Sequence, residues 1–169
     1  AIKMNAGSFG ASISDVLENI QIVNSEGGLT SVAQKDMPFD YRSSPVKGSE
    51  CIFSATFRLK SRDKNEIAKD MDYVYKERMK RHPMEYPSSG SIFKSVNGQS
   101  AWQFVEQAGL RGTKIGDACV SEKHTNFIIN LGHAKAGDIK ALIDTVKKVV
   151  FEKTGVTLEE EVELWGFED

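Results

Sequence analysis

The sequence is most informative first in what it lacks. In 169 residues there are two cysteines and four prolines, and the formal net charge is only -2. The near-neutral balance gives no long-range field toward nucleic acid, so an anionic ligand has to be met by a local cluster of cations. No apolar run reaches the length needed to span a bilayer, and no charged-then-apolar leader opens the sequence. A cytoplasmic, reducing compartment is therefore the expectation. Cys51 and Cys119 each sit in an apolar, strand-like run and read as small buried hydrophobes rather than a disulfide pair. His82, His124 and His133 have no metal-site spacing with a second ligand, so no metal is expected. What is present is an ordinary globular balance, 40% hydrophobic and 27% charged, enough for one or two small domains.

Residues 1–62 read as β-rich. Glu18 to Val23 alternates around Ile20 and Ile22, Ser25-Glu26-Gly27-Gly28 turns the chain, and Leu29 to Val32 returns as a hairpin partner. Cys51 to Leu59 is the clearest strand, with Cys51, Phe53, Ala55, Phe57 and Leu59 on one face. Pro38 and Pro45 bracket Tyr41-Arg42 and exclude regular structure there. A boundary is expected at Lys60 to Asn65.

Beyond it the pattern turns mixed. Asp63 and Glu66 have capping-box spacing and open a charged surface helix carrying Ile67, Met71, Val74 and Tyr75, which stops before Pro83. Ser100 and Gln103 repeat that spacing ahead of Trp102, Phe104 and Val105, with Gly109 as the stop. Cys119-Val120 and Phe127 to Asn130 read as short strands. Asp138 reads as the cap of the best helix, with Ile139, Leu142, Ile143, Val146, Val149 and Val150 at the 3.6 period and Gly155 at its end. Val162 and Leu164 alternate as a last strand.

Four segments and a basic cluster carry candidate chemistry. Tyr86-Pro87-Ser88-Ser89-Gly90-Ser91-Ile92-Phe93-Lys94 is a tight turn that presents a hydroxyl and then enters a core. Phe39-Asp40-Tyr41-Arg42-Ser43-Ser44 offers a guanidinium, whose planar fork grips a carboxylate and stays charged. Leu158-Glu159-Glu160-Glu161-Val162 offers carboxylates, although an acidic run is ordinarily a solvated face. Met4-Asn5-Ala6-Gly7-Ser8-Phe9-Gly10 is a run of mostly small residues and glycines that permits close approach to the backbone. Arg78, Lys80, Arg81 and His82 precede the turn and Lys94 follows it.

In this order the segments resemble UDP-N-acetylenolpyruvylglucosamine reductase, also called UDP-N-acetylmuramate dehydrogenase, a flavoenzyme family of bacterial cell-wall synthesis. The resemblance runs from Met4 to Gly166 and is similar to the shorter of the family's two subtypes. It implies an α+β fold: the rear part of a vanillyl-alcohol-oxidase-type FAD-binding domain over residues 1–62, then a mixed α/β domain for a UDP-sugar over 63–169. Read this way the sequence is a piece of a longer one, expected to be inactive and to hold FAD poorly by itself.

The implied reaction is reduction of UDP-N-acetylglucosamine enolpyruvate with FAD and NADPH. Ser91 donates a proton to substrate carbon, Arg42 lies beside the enolpyruvyl carboxylate, and Glu161 assists proton transfer. Asn5, Ala6, Gly7 and Ser8 contact flavin, and Tyr41, Arg78, Arg81, Lys94 and Ser95 contact substrate. A monomer without nucleic-acid or membrane partners is expected. Departures from the family pattern are Ser95 for the usual asparagine, Asp117 for a second glycine, Trp102-Gln103 for Gly-Lys, and Glu160 for proline. Two other readings stay open: another flavin oxidoreductase of the same fold, and a catalytically incomplete nucleotide-sugar binding module.

Overall fold

The computed structural model describes residues 1–167 and divides into two compact units, Ala1–Met71 and Asp72 onward. Its sheets are antiparallel and are accompanied by helices, an α+β arrangement. None of the described helices is long and apolar enough to cross a membrane.

The first unit opens with a small hairpin, β1 (Gly7–Ser8) and β2 (Ala11–Ser12), joined by the two-residue turn Phe9-Gly10. A three-stranded antiparallel sheet follows in the order β4–β3–β5, from β3 (Leu17–Val23), β4 (Leu29–Ala33) and β5 (Cys51–Phe57). The β3–β4 hairpin is the one its alternation predicts. Its inward side chains, Leu17, Ile20 and Ile22, close on Met37 and Val46 as a small core.

β5 corrects the sequence reading. The expected single face of Cys51, Phe53, Ala55, Phe57 and Leu59 is broken. Gln21 pairs with Ser54 but Ile22 pairs with Ile52, so Phe53 is an extra residue in the ladder. A bulge of this kind shifts the alternation by one place. Ile52 and Ala55 turn inward against the core, while Phe53 is 69% exposed and Leu59 74%. Cys51 is exposed for the same reason; only Cys119 is buried as expected.

Helix α1 (Lys64–Arg81) begins where Asp63 accepts the Asn65 and Glu66 N–H groups at 2.9 and 3.2 Å. It buries no residue along its length. In the second unit a four-stranded antiparallel sheet runs β6–β9–β8–β7, from β6 (Ser88–Ser91), β7 (Lys114–Ile115), β8 (Ala118–Val120) and β9 (Phe127–Asn130). Helices α2 (Ala101–Gln107) and α3 (Ala136–Thr154) pack with it.

The α3 stripe is core as its period demands: Leu142, Ile143, Val146 and Val150 are buried against Val105, Ala118, Val120 and Ile128. Gly155 terminates α3 at φ +71°, a left-handed value that glycine reaches without strain. Three end signals differ from expectation. The α3 cap position is Lys135, and Asp138 sits three residues inside, its carboxylate accepting the Lys135 N–H at 2.9 Å. Ser100 occupies the α2 cap without a side-chain bond, and the turn is closed by its carbonyl, which accepts from Gln103 N–H at 3.1 Å. Val162 and Leu164 form no strand; pairing ends at a single bridge between Phe93 and Glu160.

Candidate functional site

The hydroxyl turn is built by a bulge. Ser88 pairs with Ile129 and Ser91 with Phe127, so Ser89 and Gly90 oppose one residue of β9. Gly90 takes φ +85°, and a Cβ there would meet nothing within 4 Å, so backbone conformation alone selects glycine. The bulge re-aims Ser91, which is half-buried.

The acidic segment is stitched to the residues just after Ser91. Glu161 N–H donates to Ile92 O at 2.7 Å, and Lys94 N–H to Glu159 O at 2.9 Å. The opposite side of the same backbone is held by Asn126, which is 6% exposed. Its Oδ1 accepts Phe93 N–H at 3.0 Å, and its Nδ2 donates to Phe93 O at 2.9 Å. Ile92 N–H completes the seam on Asn126 O at 2.9 Å. Thus two segments far apart in sequence, around Ser91 and Glu161, become adjacent strands of backbone.

The run of glutamates is resolved by its partners. Glu160 pairs with Lys147 of α3 at 2.7 Å, so the charge that replaces proline there is compensated. Glu159 pairs with the Lys94 ammonium. Glu161 is half-buried.

A cavity of about 420 Å³ lies in the same unit, lined by Arg81, His82, Trp102, Arg111, Lys123, His124 and Thr125. The His82 ring stacks on Phe127 at 5.0 Å and meets His124 edge-on at 5.5 Å. Because Phe127 is the β9 partner of Ser91, one stacked ring separates this cavity from the hydroxyl strand. Burial lowers the pKa of His82, helped by Arg78, Arg81 and Lys123. Burial likewise lowers that of His124, helped by His82 and Arg111. Cations thus gather around the two rings although the net charge of the chain is slightly negative. Arg81 is braced by Glu77, Arg111 by Glu106, and Lys123 by the Met79 carbonyl at 2.6 Å. Arg78 lines a neighbouring depression with Gly90 and Phe127. Arg111 and Lys123 carry no signal in sequence that places them with Arg81; the fold brings them, with Trp102 of α2, to one cavity.

The first unit carries the other candidates. Asn5, Gly7, Ser8, Tyr41 and Arg42 line a shallow depression of about 390 Å³ together with Gly10, Ala11 and Ser12. Ala6 anchors the small hairpin, its carbonyl accepting Ile13 N–H at 3.0 Å. Asn5 joins the two loops: Oδ1 accepts Ser14 N–H at 3.0 Å, and Nδ2 donates to Asp40 O at 3.3 Å. Arg42 adopts φ +52° between the bridged residues Asp40 and Ser43, and its guanidinium lies 5.0 Å from the Tyr41 ring centre. Small side chains on this wall fit one flank of a flat ring system. The buried Ser44 Oγ has no hydrogen-bond partner among the described residues.

The second unit thus defines an α+β module that sets a hydroxyl and a carboxylate on adjoining backbone next to a cation-lined, aromatic cavity. Residues 82–165 match the family described as UDP-N-acetylenolpyruvoylglucosamine reductase, C-terminal domain. The chain is 41% identical over 167 residues to the UDP-N-acetylenolpyruvoylglucosamine reductase of Lachnoclostridium phytofermentans, covering 98% of this chain and 54% of that protein. It is 42% identical over 168 residues to the enzyme of the same name from Agathobacter rectalis, covering 98% and 53%. The crystal structure of UDP-N-acetylenolpyruvylglucosamine reductase from Thermus caldophilus superposes with a TM-score of 0.84 at 34% identity, covering 98% of this chain and 59% of that one. The chain belongs to the UDP-N-acetylenolpyruvoylglucosamine reductase family, and it spans about half the length of the curated relatives it matches.

Proposed function

We propose that this chain is the substrate-handling portion, with part of the flavin-handling portion, of a reductase that converts UDP-N-acetylglucosamine enolpyruvate to UDP-N-acetylmuramate in peptidoglycan precursor synthesis. In this reading residues 1–62 belong to the FAD-binding domain and 63–169 to the UDP-sugar domain. The setting is the cytoplasm, and the protein acts as a monomer. The observation that carries the reading is the seam joining the Ser91 strand to the Glu161 segment, which turns two separate motifs into one local arrangement.

FAD, when bound, supplies to the enolpyruvyl double bond the hydride obtained from NADPH. The residues of this chain supply the rest. Asn5, Ala6, Gly7 and Ser8 present a wall of small groups to the flavin. Arg42, with Tyr41 against its guanidinium, grips the enolpyruvyl carboxylate and stabilises the negative charge that develops on it. Ser91 gives a proton to the adjacent carbon. A free serine is a very weak acid, so it works only where neighbours relay a proton or stabilise the alkoxide, and Glu161 is the neighbour assigned to that task. Arg78 and Arg81 meet the diphosphate, with Lys94 and Ser95 beyond the turn. The cavity adds Arg111 and Lys123 to the cations available for it.

The test is a chimera in which this chain replaces the matching part of the Lachnoclostridium phytofermentans reductase. Oxidation of NADPH that depends on the enolpyruvyl sugar is the expected result. A flavin-loaded chimera that oxidises NADPH at the same slow rate with and without the sugar would contradict the reading.

A further inference from the structure

We propose that Trp102 is a specificity-determining residue: it gives the cation-lined cavity a stacking wall that selects a nucleoside diphosphate over a bare diphosphate. The proposal rests on the reading of this cavity as the nucleotide end of the substrate site.

The argument starts from where the first turn of α2 puts its side chains. Ala101 and Val105 are buried, and Phe104 packs against the same core. Trp102 is outside that cluster and 39% exposed, lining the cavity instead. Its backbone is tied from behind, because Thr125, 3% exposed, donates its hydroxyl to the Trp102 carbonyl at 2.8 Å. The indole also meets His124 edge-on, with centroids 6.3 Å apart at 62°.

The ring is therefore held, partly open, beside cations. The pyrrole-fused ring offers a π-face to any base, and stacking on an aromatic side chain is worth enough to change affinity about tenfold or more. The arginines supply the complementary half. Each guanidinium has five donors, so pairing with one carboxylate leaves others free to meet a phosphate oxygen. Cations alone cannot tell a nucleotide from pyrophosphate; a ring beside them can.

The experiment uses the 169-residue chain with Trp165→Phe, which leaves Trp102 as the sole tryptophan reporter. UDP and inorganic pyrophosphate are titrated separately, by fluorescence and by calorimetry, at fixed ionic strength. UDP should quench Trp102 emission saturably. Trp102→Gly should weaken UDP about tenfold, near the ~1.4 kcal/mol that tenfold represents, and leave pyrophosphate binding unchanged. Trp102→Phe should keep most of the UDP affinity and guards against a glycine variant that merely loosens α2. Equal or tighter UDP binding by both variants, with UDP still competed by pyrophosphate, would overturn the role of Trp102 and leave the cavity reading standing. UDP binding that is absent, or indifferent to Arg111→Gln and Lys123→Ala, would remove the cavity reading and this proposal with it.

Discussion

The two units solve the burial problem differently. In the second, Leu142, Ile143, Val146 and Val150 of α3 close on β8, β9 and α2, and all are at most 1% exposed. In the first, the buried cluster is Leu17, Ile20, Ile22, Met37 and Val46, while Phe53, Phe57 and Leu59 of its outer strand region stay exposed. A helix states its buried face through a period that nothing interrupts. A strand states it through an alternation that one inserted residue reverses. The second unit can therefore hold a site rigidly by itself, and its polar seam depends on that rigidity.

Substitutions that separate the units sharpen this contrast. Leu142→Ala should lower stability by about 2–5 kcal/mol, because the surrounding helix and sheet cannot collapse into the cavity it leaves. Phe53→Ala, in the bulge, should stay within about 0.5 kcal/mol. Urea midpoints measure both. Equal shifts for the two would erase the distinction between a packed and an open apolar face.

The seam is of comparable size. Asn126→Ala leaves the Phe93 N–H and C=O buried without partners, at about 1–3 kcal/mol for each group. Asn126→Asp should restore the missing donor only when protonated. Its protection of the Glu161 amide against hydrogen exchange should then rise on acidification. Exchange at Glu161 that ignores both variants would mean the seam does not depend on Asn126.

Gly90→Ala should cost about 1–2 kcal/mol, through backbone conformation rather than contact. An unchanged melting temperature would show that the bulge accommodates a side chain at that φ.

The smallest effect is on pH. His82 and His124 have pKa values below the ordinary histidine value, chiefly through burial and then through Arg78, Arg81, Lys123 and Arg111. Between the lowered folded value and about 6.5 in the unfolded chain, the unfolded state binds more protons. The associated stability is thus present above the unfolded value and lost as pH falls through the folded one. Melting followed from pH 7 downward should show a decline that the double variant His82→Phe, His124→Phe lessens. An identical decline in that variant would place the loss elsewhere.

How much could be read beforehand follows the same physics. The α3 stripe, the β3–β4 hairpin, the Asp63 cap and two of the four strands of the second unit's sheet, β8 and β9, were legible because each is a local pattern. The β5 face was not, since a bulge is invisible to alternation. Asp138 was placed three residues too early in its role, because an acidic side chain serves a helix start from either position. Of the site, Ser91 stood out through its turn. Its tie to the Glu161 segment, the place of Asn126, and the convergence of Trp102 of α2, Arg111 and Lys123 with Arg81 of α1 are products of packing between segments distant in sequence. Arg42 stood out as a loop guanidinium; its positive φ did not.

The most direct measurement follows the two half-reactions by stopped flow in the chimera bearing Ser91→Ala. NADPH should reduce the flavin at the unaltered rate, since that step needs no proton on substrate carbon. Reoxidation by the enolpyruvyl sugar should slow by about 10²–10⁴-fold, the scale of losing a general acid, with substrate affinity little changed. Reoxidation at the normal rate would make Ser91 a turn serine and contradict the assignment of this bulge as the place where the proton is delivered.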